Sequence, residues 1–297
     1  MKPDITLQEL LRIDGASGHD NAMVIRADLH CHSTISDGSF TSAELLAQAQ
    51  AAGLTHLAIT NHDTTAGFTD AQAAAQALSA IPSETSLPIT YISGIEISAW
   101  NPETGRKVHI LGYGLKEESP AIAALCKPLL EARTKNTLWQ QEQLEEAGYT
   151  LDYQLLEKLR AVSTGFYKQH LMAALTNAPF TSKDYQTLYK SLFKGNGICK
   201  RDIEYVHMCD AVRAITEDGG VAVLAHPGQL DSYDAVPELV DAGLWGIEQF
   251  HPDHSVADWK RCTELAYQYG LECTGGSDFH GEFGEVERLG QCSLSIS

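Results

Sequence analysis

The sequence predicts an α/β barrel with an inserted helical domain, and three observations lead to this fold class. The 297 residues, 43% of them hydrophobic, are sufficient for one large core. Apolar runs of strand length alternate with Ala-rich helical segments near both ends of the chain, while the middle is mostly helical. Histidines and carboxylates follow the apolar runs, as they do where the carboxyl ends of parallel strands form a catalytic bowl.

The elements of the first part follow a βαβ order after a predicted N-terminal arm, residues 1–22. A strand precedes His30, and Thr41 or Ser42 caps a helix that continues to about Ala52 and stops at Gly53. Further strands are predicted at 54–60, 89–92 and 108–113, with a second helix at about 70–80.

The middle of the chain, residues 117–200, contains long helical stretches such as Ala121 to Ala147 and few strand signals. We therefore predict a helical insertion that caps the substrate site, with the barrel domain formed by residues 23–116 and 201–297. Strands and helices alternate again in segments 206–218, 221–224, 236–242, 246–248 and 256–269 and in a strand that ends at Asp278.

The most informative motif is Asp28-Leu29-His30-Cys31-His32, in which two histidines flank one cysteine. Successive side chains of an extended strand point to opposite faces, so His30 and His32 project from one side, about 7 Å apart. Such a pair can bind one metal ion. Cys31 points to the other face and is therefore a poor candidate for a nucleophile.

Seven further residues of ligand type end apolar runs or lie in the loops that follow them. A single histidine in such a place is most often a hydrogen-bonded structural residue, but unrelated structural histidines have no reason to repeat one local pattern. We expect all these side chains to converge at one end of the barrel. The predicted metal ligands are His30, His32, Asp37, His62, Glu96, His109, His226, Asp278 and His280.

The net charge of −18 argues against a broad cationic surface for duplex DNA, because phosphate neutralisation needs clustered Lys and Arg. An anionic substrate can still bind where cations reverse the local sign. Seven cysteines without a C-x-x-C pair indicate reduced thiols, and no segment is typical of an export signal or a membrane span. We therefore predict a cytoplasmic protein that binds neither duplex DNA nor a membrane.

The ligand types indicate the chemistry. Imidazoles and carboxylates without thiolates suit Mn²⁺, Fe²⁺ or Zn²⁺, and nine ligands are enough for three divalent metal ions if one carboxylate bridges two of them. Ions about 3.5–4 Å apart can hold a hydroxide between them and neutralise phosphoryl oxygens. The predicted reaction is hydrolysis of a phosphate ester by a metal-bridging hydroxide.

Five motifs between about residues 26 and 290 resemble, in order, those of the PHP (polymerase and histidinol phosphatase) family of metal-dependent phosphoesterases. They are Asp28-Leu29-His30-Cys31-His32, Thr60-Asn61-His62-Asp63, Gly94-Ile95-Glu96, Ala225-His226-Pro227 and Gly276-Ser277-Asp278-Phe279-His280. The resemblance implies a distorted (β/α)7 barrel with a trinuclear site at the carboxyl ends of its strands. It also implies one ion on His30, His32, Glu96 and Asp278, a second on Glu96, His109 and His226, and a third on Asp37, His62 and His280.

Within that family, Asp37 and the helical insertion resemble a subgroup that removes the 3′-phosphate from nucleoside 3′,5′-bisphosphates, some members of which degrade short RNA from the 5′ end. Members of this subgroup hold the second phosphate with arginines of the insertion, and Arg133 matches one of them. The sequence departs from the pattern where Thr164 and Phe166 replace an expected Arg and His. The candidate substitutes are Lys168, His170, Lys194 and Lys200.

Several assignments have two interpretations. We predict catalytic roles for Asp63, His251 and His254, but Asp63 alternatively orients His62. His251 and His254 either donate a proton to the leaving group or contact the substrate, or else they are loop residues without a role. Arg133 either contacts phosphate or is a solvated helix residue.

The leading hypothesis is a phosphomonoesterase that acts on a nucleotide, either a nucleoside 3′,5′-bisphosphate or short 5′-phosphorylated RNA. Histidinol phosphate or another small phosphate ester is the alternative substrate. Two other classes are a metal-dependent C–N hydrolase, whose barrels commonly have a bridging lysine that these strand ends lack, and a metal-binding module without catalysis. The sequence leaves the oligomeric state open.

Overall fold

The computed structural model describes residues 3, 5–12, 24–80 and 87–296, so the predicted boundary between arm and barrel at 22–23 lies outside the described residues. The strands are β1 (Ile25–Asp28), β2 (His56–Ile59), β3 (Thr90–Asn101), β4 (Arg106–Tyr113), β5 (Val206–His207), β6 (Val221–Leu224), β7 (Gly246–Phe250), β8 (Glu272–Gly275) and β9 (Leu294–Ile296). The helices are α1 (Leu7–Arg12), α2 (Ser42–Ala51), α3 (Phe68–Ser79), α4 (Pro120–Glu146), α5 (Tyr153–Val162), α6 (Lys168–Leu175), α7 (Lys183–Phe193), α8 (Met208–Glu217), α9 (Pro227–Leu230), α10 (Val236–Ala242) and α11 (Val256–Tyr269).

The strands form one sheet in the order β8-β7-β6-β4-β3-β2-β1-β9, and β5 pairs with β3. β1, β2 and β3 run parallel to one another, and so do β6, β7 and β8. β4 is antiparallel to both β3 and β6, and β9 is antiparallel to β1. The two ends of the sheet approach each other, since the Leu29 N–H donates to the Gly275 carbonyl at 3.1 Å and Cys31 forms a bridge with Phe279. The fold is therefore α/β with a nearly closed, barrel-shaped sheet, which confirms the predicted class.

The long hairpin of β3 and β4 differs from the prediction. The sequence indicated a short strand at 89–92, but β3 continues to Asn101 because it pairs with β4 from Gly94↔Tyr113 to Asn101↔Arg106. His109 consequently lies within an antiparallel strand rather than at a strand end. It pairs with Ser98, so its side chain lies on the same face of the hairpin as Glu96.

Two strands end earlier than predicted, and the predicted ligands lie in the segments that follow. β1 ends at Asp28 and β8 at Gly275, before His30 and Asp278 respectively. The two following segments pack tightly, because a Cβ on Gly276 would lie 2.3 Å from the Cβ of His30. Only glycine therefore permits this approach.

The described part of the N-terminal arm packs on the barrel. Leu7, Leu10 and Leu11 of α1 are buried in a cluster that includes Trp245, whose indole N–H donates to the Ile5 carbonyl at 2.6 Å. Trp245 immediately precedes β7, so α1 covers the amino-terminal ends of the strands, away from the ends at which the ligands gather.

Helices α4 to α7 lie between β4 and β5 in the chain. α4 begins in the main core, where Ile122 and Cys126 are buried, and its second half joins a separate helical cluster that contains Leu144, Phe166 and Leu171. Among the described residues, none of the helices combines the length and hydropathy that a bilayer span requires.

Candidate metal centre

Nine imidazole and carboxylate side chains converge near the carboxyl ends of the parallel strands and fall into three overlapping groups. Within each group, the ligand atoms all lie within 4.8 Å of one another. The groups are His32, Asp37, His62 and His280; His30, His32, Glu96 and Asp278; and Glu96, His109 and His226. The structure therefore brings together all nine residues that the sequence predicted as ligands.

Glu96 and Asp278 organise the middle group. His30 Nε2 lies 3.4 Å from Glu96 Oε2 and 3.4 Å from Asp278 Oδ1. His32 Nε2 lies 3.3 Å and 3.2 Å from the same two oxygens. Two imidazole nitrogens and two carboxylate oxygens thus surround one point, and this donor set suits a borderline divalent cation.

Glu96 also belongs to a neighbouring group. Its other oxygen, Oε1, lies 2.7 Å from His109 Nδ1 and 3.0 Å from His226 Nε2. Because each oxygen faces a different group, the carboxylate is placed to bridge two sites. The remaining group centres on Asp37, whose Oδ1 lies 3.5 Å from His280 Nε2.

Several polar atoms that face these groups are buried without a hydrogen-bond partner, a state that protein interiors otherwise avoid. They include both ring nitrogens of His32, His30 Nε2, His62 Nδ1, Asp37 Oδ1 and Glu96 Oε2. Burying such lone pairs unpaired is costly, whereas divalent cations would satisfy them. The residues present therefore fit metal ions.

Burial and charge act in opposite directions on the ionisable groups of the centre. Burial lowers the pKa of His62 to about 3. For His280, burial is outweighed by the carboxylates of Asp37 and Asp278, which raise the pKa to about 9. Burial opposes ionisation of Glu96, but the surrounding imidazoles hold the pKa of this carboxyl well below its usual value. The centre thus keeps ionised carboxylates in the interior, where they attract cations.

Three residues at the centre have left-handed backbone conformations. The φ angles of Asp63, His226 and Asp278 are 59°, 22° and 51°. Such angles cost free energy for residues other than glycine, so they persist only where the surrounding structure imposes them. Strain of this kind is typical of functional sites.

Two buried carboxylates that the sequence analysis did not single out hold the ligand segments in place. Asp28 Oδ1 accepts hydrogen bonds from the backbone N–H groups of Ser277, at 2.9 Å, and His30, at 3.3 Å. Glu248 contacts His30 Nδ1 at 3.1 Å and accepts the N–H of His226 at 2.8 Å. The sequence did carry a signal for Glu248, because an apolar run ends there as it does at the predicted ligands.

Asp63 connects the barrel to α4 rather than orienting His62. Its Oδ1 accepts the Ser98 N–H at 2.7 Å, and its Oδ2 accepts from the Arg133 guanidinium at 2.7 Å. Arg133 also donates to Ser98 Oγ at 2.8 Å and lies 5.3 Å from the centre of the Tyr167 ring. Its side chain is only 15% exposed, so Arg133 is not a solvated helix residue.

The two predicted proton donors differ in position. His254 Nε2 accepts the Gly228 N–H at 3.0 Å, and its Nδ1 lies 2.9 Å from a backbone carbonyl oxygen, so this ring has no nitrogen left for a leaving group. His251 Nδ1 accepts the Asp253 N–H at 3.1 Å, which leaves the proton on Nε2. That nitrogen is buried, 3.8 Å from Asp278 Oδ2.

A cationic cavity of about 580 Å³ opens beside the centre and reaches Asp37, His62 and His109. Six of the 21 lysines and arginines of the chain line it, namely Lys107, Arg133, Lys168, Lys194, Lys200 and Arg201. Two carboxylates, Asp37 and Asp202, also line the cavity, and Asp202 pairs with Lys107. The cations still outnumber the carboxylates, so the cavity favours anions although the chain has a net charge of −18.

His170, which the sequence analysis proposed for substrate binding, holds a loop instead. It is buried, and its Nε2 lies 3.2 Å from the Ser36 carbonyl oxygen. The Ser163 hydroxyl donates to the same oxygen at 2.7 Å. These contacts fix the loop that carries Asp37 against the helical segment of the chain.

A second, aromatic cavity of about 260 Å³ reaches Asp278 and His280. Its walls include the rings of Phe180, Tyr185, Tyr189 and Phe283. Arg288 pairs with Asp253 at 2.9 Å and with Glu285 at 3.0 Å, so the charged groups in this wall include one more carboxylate than cations, and the rings supply the rest of the surface. The aromatic cavity therefore suits a flat, weakly polar group.

Comparisons with known proteins agree with this geometry. The PHP domain family matches residues 28–199. A phosphoribosyl 1,2-cyclic phosphate 1,2-diphosphodiesterase from Eggerthella lenta is 57% identical, over 89% of this chain and 97% of that protein. A 3′,5′-nucleoside bisphosphate phosphatase from Chromobacterium violaceum is 32% identical, over 85% and 86% of the two chains. A solved structure described as a metal-dependent phosphoesterase, from Bifidobacterium adolescentis, has a TM-score of 0.78 and 25% identity, with 90% and 91% of the chains covered.

Proposed function

Because the chain belongs to the PHP domain family, we propose that it hydrolyses a phosphate ester on a ribose that carries a second phosphate group. It is a metal-dependent phosphoric ester hydrolase, like the relatives it matches over most of its length. The first candidate substrate is a phosphoribosyl 1,2-cyclic phosphate, because the relative named for that compound is 57% identical to this chain.

The cationic cavity is the observation that carries this proposal. A substrate with two phosphate groups needs two anion sites, one at the reacting phosphorus and one for the other phosphate. The cavity adjoins the centre at Asp37 and His62 and presents Arg133, Lys168 and Lys194 to a ligand. Burial and the neighbouring Lys107 lower the pKa of Lys168, so a phosphate would stabilise the charged form of this amine.

The proposal includes three divalent ions, Mn²⁺, Fe²⁺ or Zn²⁺, held by the three ligand groups with Glu96 between two of them. Ions bound there would activate water near neutral pH and neutralise charge on the phosphoryl oxygens. Among the other residues, Arg133 and the lysines bind the second phosphate, and the Nε2–H of His251 donates a hydrogen bond to the leaving oxygen, which takes its proton from the attacking water.

The proposed reaction is balanced without another reactant. Water supplies the oxygen of the new P–O bond, and one P–O bond of the cyclic diester breaks. The released sugar oxygen takes a proton and becomes a hydroxyl group. The other ester bond remains, so the product of this step carries a phosphate monoester.

Two residues make a nucleoside bisphosphate the less favoured substrate. Thr164 and Phe166 occupy the positions at which the bisphosphate-hydrolysing subgroup would have Arg and His. The Thr164 hydroxyl donates to the Ile35 carbonyl at 3.0 Å, and Phe166 is buried in the helical cluster. Both side chains stabilise the fold, which leaves the second phosphate to Arg133 and the lysines.

A nucleotide, including the end of a short RNA, is the second candidate because of the aromatic cavity. A phosphate at the centre would lie between the cationic cavity on one side and the rings of Tyr189 and Phe283 on the other. Such rings can stack on a base. In either case we propose that residues 117–200 cap a distorted (β/α)7 barrel. We also propose that the enzyme is cytoplasmic, because its cysteines are all free thiols.

The direct test is phosphate-ester hydrolysis by purified protein supplied with Mn²⁺. ³¹P NMR should show the cyclic phosphate resonance of 5-phosphoribosyl 1,2-cyclic phosphate replaced by a monoester resonance. Under equal conditions, 3′,5′-bisphosphoadenosine and histidinol phosphate should react more slowly. His226→Ala should reduce the rate by more than about 100-fold, since even the loss of a ligand's hydrogen-bond partner typically costs 10–100-fold.

His207→Ala is the matched control, because this half-exposed histidine lies outside the three groups of the centre. It should retain the wild-type rate. If 3′,5′-bisphosphoadenosine is hydrolysed faster than the cyclic phosphate, the nucleotide is the preferred substrate. The proposal would be refuted if the protein hydrolysed histidinol phosphate but hydrolysed no ribose phosphate faster than the His226→Ala variant does.

A further inference from the structure

The carboxylate of Glu248 touches two candidate ligands and belongs to none of the three ligand groups. It lies in β7 and is completely buried. Its Oε1 lies 3.1 Å from His30 Nδ1, and its Oε2 accepts the backbone N–H of His226 at 2.8 Å. One side chain therefore connects a ligand of the middle group to a ligand of the neighbouring group.

We propose that Glu248 is a positioning residue that keeps the proton of His30 on Nδ1 and holds His226 in its left-handed turn. This inference rests on the metal centre of the proposed function. Nε2 of His30 has no hydrogen-bond partner and faces Glu96 Oε2 and Asp278 Oδ1, each at 3.4 Å. With its proton on Nε2, the ring would donate to these oxygens and block the place of a cation.

The backbone of His226 needs the second oxygen of Glu248. His226 has φ 22° and ψ 57° and precedes Pro227, so its conformation is unusual for a residue with a side chain. Its buried N–H would be costly to leave unpaired, and Glu248 provides the acceptor. The same turn places His226 Nε2 3.0 Å from Glu96 Oε1.

This pair of contacts requires a carboxylate rather than an amide. Both oxygens of Glu248 must accept, one from the His30 ring and one from the His226 backbone. Glutamine has the same shape but only one oxygen. If that oxygen accepts from the His226 N–H, the amide NH₂ faces His30 Nδ1, which must then accept and shift the ring proton to Nε2.

The test compares Glu248→Gln with the wild-type protein by Zn²⁺ affinity, measured in competition with a chromophoric chelator, and by long-range ¹H–¹⁵N correlation of the histidine rings in the metal-free protein. Glu248→Gln should weaken at least one Zn²⁺ site by about 10–100-fold. It should also remove the Nδ1–H signal of His30. Glu272→Gln, on the neighbouring strand β8 and outside the centre, should leave both measurements unchanged.

Unchanged affinity together with a retained Nδ1–H signal in Glu248→Gln would overturn the inference. A variant that unfolds at lower temperature but binds Zn²⁺ normally would also overturn it, because Glu248 would then serve packing alone. The wild-type spectrum is a test that needs no variant, since His30 must show Nδ1–H. These readouts do not involve substrate, so a wild-type protein that binds Zn²⁺ but hydrolyses no ribose phosphate would contradict only the proposed function.

Discussion

Arg133 combines a structural contact with a position in the cationic cavity. Its Nη2 donates both to Asp63 Oδ2 and to Ser98 Oγ, and these bonds join α4 to the hairpin and to the segment after β2. Because a single nitrogen makes both bonds, the guanidinium can offer its other N–H groups to a phosphate. A residue tied to the barrel in this way also holds the cavity wall rigid.

We expect Arg133→Ala to lower both stability and activity. The free energy of unfolding should fall by about 3 kcal/mol, because removing one partner of a buried ion pair leaves the Asp63 carboxylate buried without its cation. kcat/KM for a substrate with two phosphates should fall as well. Urea denaturation and initial rates measure the two effects, with exposed Lys135→Ala as the control. Equal free energies of unfolding for the two variants would show that the ion pair of Arg133 and Asp63 does not stabilise the fold.

At the residue scale, the sequence predicted the nine side chains that gather at the centre but not the groups that hold them in place. Each predicted ligand follows a local pattern, so His30, His62 and His226 were recognisable from a few neighbouring residues. The contacts of Glu248 with His30 and of Arg133 with Asp63 join residues 218 and 70 positions apart. No local pattern reports such pairs. The contacts of His254 could not be foreseen for the same reason, because only the fold places the Gly228 N–H against its ring.

At the scale of elements, helices were predicted more closely than strands. α2 begins after Thr41, whose side chain and that of Glu44 form a capping box, and α11 spans the predicted residues. These signals are local. The length of β3 depends instead on its pairing with β4, and the ends of β1 and β8 depend on closure of the sheet, so neither could be read from one segment.

Helix α1 should stabilise the barrel without contributing to catalysis. Leu11 is 2% exposed, and its carbonyl oxygen lies 2.9 Å from His56 Nε2 at the amino end of β2. Leu11→Ala should reduce the free energy of unfolding by about 2–3 kcal/mol, through lost burial and the cavity left behind. The specific activity of the folded enzyme should stay at the wild-type level.

Denaturant unfolding and rate measurements test this expectation, with Leu87→Ala as the control because Leu87 is 46% exposed. A large loss of activity in folded Leu11→Ala would mean that the packing of α1 affects the geometry of the centre. Such a result would contradict the separation of the two ends of the barrel.

At the scale of the whole molecule, bound metal ions should stabilise the folded barrel against unfolding. The ligand groups link segments from near both ends of the chain, so ions that bind only the folded state oppose global unfolding. Free metal at 100 times Kd adds about 2.7 kcal/mol per site. For a domain of 297 residues, that corresponds to a rise in Tm of about 4 °C per site.

Differential scanning calorimetry with added Zn²⁺ and with EDTA measures this shift. His226→Ala should show a smaller shift than the wild-type protein, because one ligand group is incomplete. An identical Tm with metal and with chelator would contradict the centre as described, whatever the substrate.

The separation of the ligands along the chain has a consequence for synthesis. His30 and His32 leave the ribosome long before Asp278 and His280, and at 5–20 residues per second the interval is about 12–50 s. For most of that time the nascent polypeptide lacks only Asp278 from the middle group. We therefore expect hydrolytic capacity to arise only when the segment after β8 docks beside β1, and a prematurely terminated product to be inactive towards phosphate esters.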